Sequence, residues 1–155
     1  MNSKQYSNRS KNPLVTLVAI SALICVPGVL ARDTVQSFSV EKAMNSANGK
    51  AKLGEDIRFA FGETSLGSVA KNYGEFRTNK KTNAFGKSDE VACNWAFLSA
   101  MISLRDRAIS EGGNAVINIR SNYKNNTTSS ETTFQCGAGN VVAGVALIGD
   151  VVTLD

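Results

Sequence analysis

The most regular pattern of apolar and polar positions lies between residues 88 and 113. At about 100° per residue, the apolar side chains fall on two adjoining stripes, which is typical of an amphipathic helix with one broad buried face. The first stripe consists of Val91, Trp95, Leu98, Ile102 and Ile109. The second stripe, beside it, consists of Phe97, Met101, Leu104 and Ala108. Ser88 or Asp89 is suited to cap the N-terminus, and Gly112-Gly113 is a typical C-terminal stop. The sequence therefore predicts a long helix over about residues 89–111.

Arg105 lies inside this apolar arc. A charged group there must reach the edge of the buried face or find a carboxylate or carbonyl partner, because an unpaired buried charge is costly. We expect such a structural contact, and a functional arginine is the alternative.

After the helix, the period of the pattern changes to two residues. We expect Ala115, Ile117 and Ile119 to face one side of a strand and the polar residues Asn118, Arg120 and Asn122 to face the other side. This alternation predicts a half-buried strand that runs to Tyr123. Residues 124–128 then form a predicted polar turn, which together with the loop before the helix offers an exposed surface.

Two more strands are predicted towards the C-terminus. Alternate positions from residue 130 to Cys136 share one face, so we expect Cys136 on the buried side beneath the helix. Residues 141–148 are apolar on both faces, which is typical of a central strand. We expect Gly149-Asp150 to interrupt that strand before residues 151–154.

The region before the helix is more polar and less regular. A short helix is predicted near residues 39–46, and the alternation over residues 57–61 predicts a strand. Glycine recurs through residues 62–88, which are therefore predicted to form a loop with a short strand only near residues 74–78.

Residues 1–31 have the outline of a signal peptide. Basic residues precede an apolar run over residues 14–26, a Pro27-Gly28 helix breaker follows, and cleavage is expected after Ala31. The run is shorter than the ~20 apolar residues of a transmembrane helix, and an uncleaved anchor is the alternative. Ile24 before Cys25 departs from a lipoprotein cleavage site. We expect a periplasmic or secreted protein with no stable membrane anchor after cleavage.

Composition narrows the chemistry further. The chain of 155 residues has no histidine, which excludes Ser-His and Cys-His nucleophiles and imidazole metal ligands. Its 17 basic and 13 acidic side chains give a formal charge of +4, but Lys4, Arg9 and Lys11 belong to the signal segment. Because the remaining chain is close to neutral, we expect no nucleic-acid partner. We also expect no metal and no cofactor.

Cys93 and Cys136 are the cysteines that follow the signal segment. Export to an oxidising compartment favours a disulfide between them. Closing the loop between them should stabilise the fold by roughly 4 kcal/mol through chain entropy. Metal binding and redox catalysis are the alternatives, although two thiolates without histidine make a poor zinc site and no Cys-x-x-Cys is present.

Several stretches resemble known bacterial families. The junction GGNAVINIRS at residues 112–121 resembles that of the small YbjQ-like family, which is labelled heavy-metal binding, and residues 144–152 are similar to that family's last strand. The Rcs envelope-stress sensor lipoproteins (RcsF-like) share this core. Residues 81–83, 92–100 and 136–139 resemble exported proteins often labelled "excinuclease ATPase subunit", a label at odds with the missing phosphate-binding loop.

The resemblance implies an α+β fold in which one long helix, about residues 89–111, packs on an antiparallel or mixed sheet. A hairpin and a buried C-terminal strand follow the helix. The shared core corresponds to residues 81–155, and residues 32–80 are expected to be an N-terminal extension of the same domain. The resemblance assigns no active site, and the oligomeric state stays open.

Two functions remain. The first is an exported, non-catalytic binding module for a protein or envelope component that the sequence does not identify. Its candidate contact residues lie in the predicted loop, where function concentrates, and they are Arg77, Lys80, Lys81 and Asn83. A merely solvated loop is the alternative for them. The second function is a hydrolase that uses the carboxylates Glu63, Glu75, Asp89 or Glu90. Acids scattered over a surface are common, so we expect the first function.

Overall fold

The computed structural model describes residues 34–155 of the chain, and the predicted signal peptide lies outside these residues. Three helices and seven strands follow one another along this part. In chain order they are β1 (Thr34–Ser39), α1 (Val40–Met44), α2 (Ala47–Leu53), β2 (Arg58–Phe61), β3 (Val69–Asn83), α3 (Asp89–Glu111), β4 (Ala115–Tyr123), β5 (Asn126–Thr128), β6 (Thr133–Ala138) and β7 (Val142–Leu154).

The strands form one mixed, curled sheet with α3 packed across it. The order β1-β6-β7-β4-β2 forms the main path, while β3 pairs with β7 and the short β5 pairs with β4. The pair β2–β4 is parallel, and the other pairs among residues 34–155 are antiparallel. The predicted α+β class, with a long helix, a following hairpin and a buried last strand, is confirmed.

The ends of α3 form as its capping residues predict. The side chain of Ser88 accepts a hydrogen bond from the backbone N–H of Val91 at 3.3 Å. At the other end, Gly112 adopts a left-handed conformation with φ of 79°, and the N–H of Gly113 donates to the Ala108 carbonyl at 2.8 Å. Glycine takes this conformation without a Cβ clash, which is why the helix ends there.

The buried face of α3 is narrower than the two predicted stripes. Phe97, Met101, Leu104 and Ala108 are fully buried, as the second stripe predicts. Val91 and Ile109, at the ends of the first stripe, are exposed, which makes that part of the prediction wrong. In the same two turns Ala92, Cys93 and Ala108 are fully buried, so the buried face there follows these small side chains and not the first stripe.

A cluster of aromatic rings and the disulfide join α3 to the sheet. The rings of Phe97 and Phe134 stack with their centroids 4.1 Å apart. Cys93 of α3 and Cys136 of β6 are both fully buried and form a disulfide with a Cα–Cα distance of 5.8 Å. The predicted pairing, and the predicted position of Cys136 beneath the helix, are confirmed.

The strand β4 carries an irregularity that the alternation did not predict. Asn118 has a φ of 52°, and the register of β4 against β7 shifts between Ile117 and Arg120. Asparagine tolerates this conformation better than most side chains. The shift places Ile117 in a small cluster beside β7, whereas Ile119 packs in the main core. The predicted shared face of Ala115, Ile117 and Ile119 is therefore wrong.

The strand β7 is continuous, so the predicted interruption at Gly149-Asp150 is wrong. A Cβ on Gly149 would lie 2.7 Å from Cγ1 of Val116, so glycine here allows the neighbouring strand to approach closely. The carboxylate of Asp150 accepts a hydrogen bond from the side-chain amide of Asn118 at 2.9 Å. Both residues therefore fit a strand that is buried on both sides.

The residues before α3 form more structure than the sequence predicts. The single helix predicted near residues 39–46 is preceded by β1 and followed by α2. The predicted loop over residues 62–88 contains the fifteen-residue strand β3. Since β1 pairs with β6 and β3 pairs with β7, the predicted N-terminal extension contributes strands to the same sheet.

Arg105 has the structural contacts that its position predicts. Its guanidinium contacts the Asp106 carboxylate at 2.7 Å and also donates to the backbone carbonyl of Lys52 at the end of α2. The side chain therefore ties α2 to α3 while its head remains partly exposed.

Candidate binding surface

The strand β3 presents a long open edge. It pairs with β7 from Val69 opposite Leu154 to Asn83 opposite Val142, with two register shifts near its start. Within residues 34–155, β7 is its one partner strand, so its other edge is not hydrogen-bonded to the sheet. An unpaired edge of this length is a template for another strand.

From residue 75 onward, the side chains of β3 alternate between two faces. Phe76, Thr78, Lys80 and Thr82 are half-buried and share the face that packs on α3. The exposed side chains on the opposite face, here called the outer face, are Glu75, Arg77, Asn79, Lys81 and Asn83. The alternation follows from the two-residue period of a strand.

The four predicted contact residues therefore lie on a strand, not in a loop. Arg77, Lys81 and Asn83 belong to the outer face, whereas Lys80 belongs to the face towards α3. Their predicted loop position is wrong because half of β3 packs on α3 and all of it pairs with an apolar strand. The prediction that they are accessible surface positions on one segment is compatible with this structure.

Ion pairs order one end of the outer face. Both carboxylate oxygens of Glu75 are used, one by Arg77 at 3.1 Å and the other by Arg120 of β4 at 2.5 Å. Lys80 and Lys81, further along β3, have no ion-pair partner in the described part of the chain. The C-terminal third of the strand therefore carries positive charge that its neighbours do not neutralise.

A cleft lies between β3 and α3, and we call it the helix cleft. Its volume is about 330 Å³. Its lining residues are Phe76, Arg77, Thr78, Asn79, Lys80, Ser103, Leu104 and Arg107. The guanidinium of Arg107 lies over the Phe76 ring, 4.9 Å from its centroid, and one of its nitrogens contacts Glu111 at 3.3 Å.

One hydroxyl of the helix cleft has no partner. Thr78 Oγ1 is buried and forms no hydrogen bond with any of residues 34–155. Among residues 34–155, no other buried side-chain nitrogen or oxygen atom lacks a hydrogen-bond partner. Nearly all buried polar groups in folded proteins are hydrogen-bonded, so such an exception needs a reason.

A second cleft of about 280 Å³, here called the outer cleft, lies on the other side of β3. It joins Arg77, Thr78 and Asn79 of β3 to Asn122, Lys124 and Asn125 of the β4–β5 hairpin, and Ala146 completes the lining. Lys124 and Asn125 both have positive φ, as expected of a tight two-residue hairpin turn. The predicted polar turn and the predicted contact segment thus meet at one site.

Asn83 shapes the end of β3. Its side-chain oxygen accepts a hydrogen bond from the N–H of Phe85 at 2.8 Å, and its backbone carbonyl accepts from the Lys87 ammonium at 3.0 Å. Phe85 is 74% exposed beside the exposed Val141 and Val142. The open edge therefore ends beside an exposed apolar group.

The carboxylates considered for catalysis do not line these clefts. Glu63 is exposed in the turn after β2, and Glu75 is held by two arginines. Asp89 accepts a hydrogen bond from the side chain of Gln36 at 3.0 Å, and Glu90 pairs with Lys42 at 2.5 Å. Neither the helix cleft nor the outer cleft is lined by any of the four.

The described residues offer no candidate metal site and no candidate membrane span. No group of three or more Asp, Glu, Cys or His side chains in residues 34–155 is placed to hold a metal ion. In the same residues, no helix has the length and apolar character to cross a membrane.

Sequence reasoning missed several residues that line the helix cleft, namely Phe76, Thr78, Asn79, Ser103 and Arg107. Around Thr78 the sequence gives no apolar alternation, because Lys80 and Thr82 on the same face have polar ends. Ser103 and Arg107 lie one helical turn apart on α3. Nothing in the sequence indicates that they face β3.

Comparison with known proteins adds no relative. No protein-family model, no curated protein and no solved structure matches the chain. The resemblance to the YbjQ-like and RcsF-like groups therefore stays a prediction.

Proposed function

We propose that the protein is an exported, non-catalytic binding module that captures an acidic, extended segment of a protein partner along β3. The observation that carries this proposal is the open edge of a fifteen-residue strand with unneutralised lysines near its C-terminal end. A segment added to this edge gains affinity from backbone hydrogen bonds, and its side chains would alternate between the helix cleft and the outer cleft.

The charges on β3 favour an acidic partner. Lysine on an exposed edge strand discourages pairing with neutral strands, because burying the ammonium beside an uncharged neighbour is costly. A strand with glutamate or aspartate at alternate positions replaces that cost with cross-strand ion pairs. Arg77 and Lys81, which share the outer face, therefore select among strands by both attraction and exclusion.

A nucleic acid is a poorer fit to this surface. Single-stranded nucleic acids are held by a basic groove together with aromatic side chains on which bases stack. Between Glu75 and Asn83, the outer face of β3 carries no aromatic side chain. A polypeptide that supplies its own backbone donors and acceptors uses the open edge more completely.

The disulfide supports a site of action outside the cytoplasm. Disulfides persist in oxidising compartments and are rare where thiols are kept reduced. The buried bond between Cys93 and Cys136 agrees with the export that the N-terminal segment predicts. We therefore propose a periplasmic or secreted location for the module.

The proposal is tested with short fluorescent peptides and the chain lacking residues 1–31. One peptide alternates glutamate with threonine, a second has glutamine in place of glutamate, and a third carries a central proline that blocks strand pairing. We expect saturable binding of the first peptide alone, measured by fluorescence anisotropy, and weaker binding at high salt.

Charge reversal on β3 supplies the specificity control. The double variant Arg77→Glu with Lys81→Glu should weaken binding of the glutamate peptide by at least about tenfold, because two attractions become repulsions. The matched variant Lys50→Glu with Arg58→Glu makes the same charge change on α2 and β2, away from β3. The proposal would be contradicted if both double variants bound the glutamate peptide equally well. It would also be contradicted if the wild-type protein bound the glutamine peptide as tightly as the glutamate peptide.

A further inference from the structure

The helix cleft combines an unpartnered hydroxyl with cationic side chains in the same lining. Thr78 Oγ1 is buried without a hydrogen bond, and Lys80 has no ion-pair partner in the described part of the chain. The fold gains nothing from the first feature, because a buried unsatisfied hydroxyl destabilises the native state. Both features are explained if the cleft holds an anionic group.

The other lining residues supply matching chemistry. Arg107 is held in place by the Phe76 ring and by Glu111, and its guanidinium retains N–H groups that Glu111 does not use. Ser103 places a second hydroxyl in the same lining. The side chains that line the cleft include no carboxylate, so nothing in the lining repels an anion.

We propose that the helix cleft is an oxyanion subsite, in which Thr78 and Ser103 donate hydroxyl hydrogen bonds and Lys80 and Arg107 supply charge. The group that binds is a carboxylate or a phosphate. Hydrogen bonds from charged donors to such an oxygen are stronger than neutral ones, and an arginine offers two parallel donors. This inference rests on the proposed function, because a strand added to β3 directs every second side chain towards α3.

Two sources of the oxyanion are compatible with this chemistry. One is an acidic side chain of the segment that pairs with β3. The other is a free small anion, since a volume of about 330 Å³ is sufficient for a small ligand. The experiment therefore uses three probes, which are the glutamate peptide, glutarate and inorganic phosphate.

The test compares Thr78→Val with Thr82→Val by isothermal titration calorimetry. Valine has nearly the shape of threonine, so Thr78→Val removes the orphan hydroxyl without opening a cavity. Thr82 lies on the same face of the same strand but does not line the cleft, which makes its variant the matched control. Lys80→Gln provides an independent variant that removes the charge.

We expect Thr78→Val and Lys80→Gln each to weaken the binding of at least one probe by about tenfold, while Thr82→Val leaves binding unchanged. Unchanged or higher urea midpoints for Thr78→Val show that it is folded, so a loss of binding cannot come from unfolding. If the peptide binds and neither Thr78→Val nor Lys80→Gln weakens the binding of any probe, the subsite is overturned and the proposed function stands.

The remaining outcomes separate the two proposals. Hydroxyl-dependent binding of glutarate or phosphate without any binding of the peptide supports the subsite and overturns the proposed function. Binding of none of the three probes overturns both.

Discussion

Removing the disulfide should cost the protein a large share of its stability. Cys93 and Cys136 are 43 residues apart, and a crosslink over this separation lowers the entropy of the unfolded chain by an amount worth about 4 kcal/mol. Small domains have net stabilities of about 5–15 kcal/mol. With a urea dependence of about 2 kcal/mol per molar, the midpoint of unfolding should fall by about 2 M in a Cys93→Ala, Cys136→Ala variant.

The assay is equilibrium unfolding in urea, followed by far-UV circular dichroism and by the fluorescence of Trp95, the single tryptophan of the chain. Trp95 is half-buried on α3, two residues from Cys93, so it reports on the element that the bond holds. A second sample is wild-type protein that is reduced, refolded and kept reduced. Comparing it with the variant distinguishes the effect of losing the bond from the effect of losing the sulfur atoms. A midpoint decrease below about 0.5 M in both samples would refute the reasoning.

Three substitutions test other parts of the account, each by urea unfolding. Thr78→Val should raise the free energy of unfolding by about 1 kcal/mol, because it removes a buried hydroxyl without a partner, whereas a decrease would show that this hydroxyl is bonded in solution. Gly149→Ala should lower it by about 1–3 kcal/mol, because the added Cβ would lie 2.7 Å from Cγ1 of the buried Val116, and an unchanged midpoint would mean that the strands separate at little cost. Gly112→Ala should lower it by about 1 kcal/mol, since alanine tolerates a φ of 79° poorly, and no loss would indicate that α3 can end differently.

Local signals in the sequence were sufficient for α3 and for the disulfide. The cap at Ser88 and the left-handed stop at Gly112 depend on residues within one turn of each helix end. The position of Cys136 beneath the helix followed from alternation along a single strand. Features of this kind are set by neighbouring residues, and tertiary contacts did not overrule them.

The strand β3 could not be predicted in the same way. Its half-buried face consists partly of Thr78, Lys80 and Thr82, whose polar ends give no apolar alternation, and Gly74 has a φ of 113°. This segment is held extended by its pairing with an apolar strand at least 59 positions away in the chain and by its packing on α3. Strand formation depends on such context more than helix formation does.

Only part of the candidate site could be predicted from the sequence, and the reason is the same. The positive residues of β3 were recognised as surface positions, but Arg107 and Ser103 reach the helix cleft only because α3 lies across β3. The irregularity at Asn118 likewise depends on a side-chain contact with Asp150 of another strand. Contacts between distant segments therefore decide both the register of the sheet and the composition of the clefts.

Hydrogen–deuterium exchange of the backbone amides of β3 tests the central claim most directly. With saturating glutamate peptide, alternate amides between residues 75 and 83 should exchange more slowly, because those N–H groups on the open edge gain partners from the added strand. The amides of α2 and β2 should be unaffected. Slower exchange confined to other segments, or none on β3 while the peptide is bound, would contradict capture along this edge.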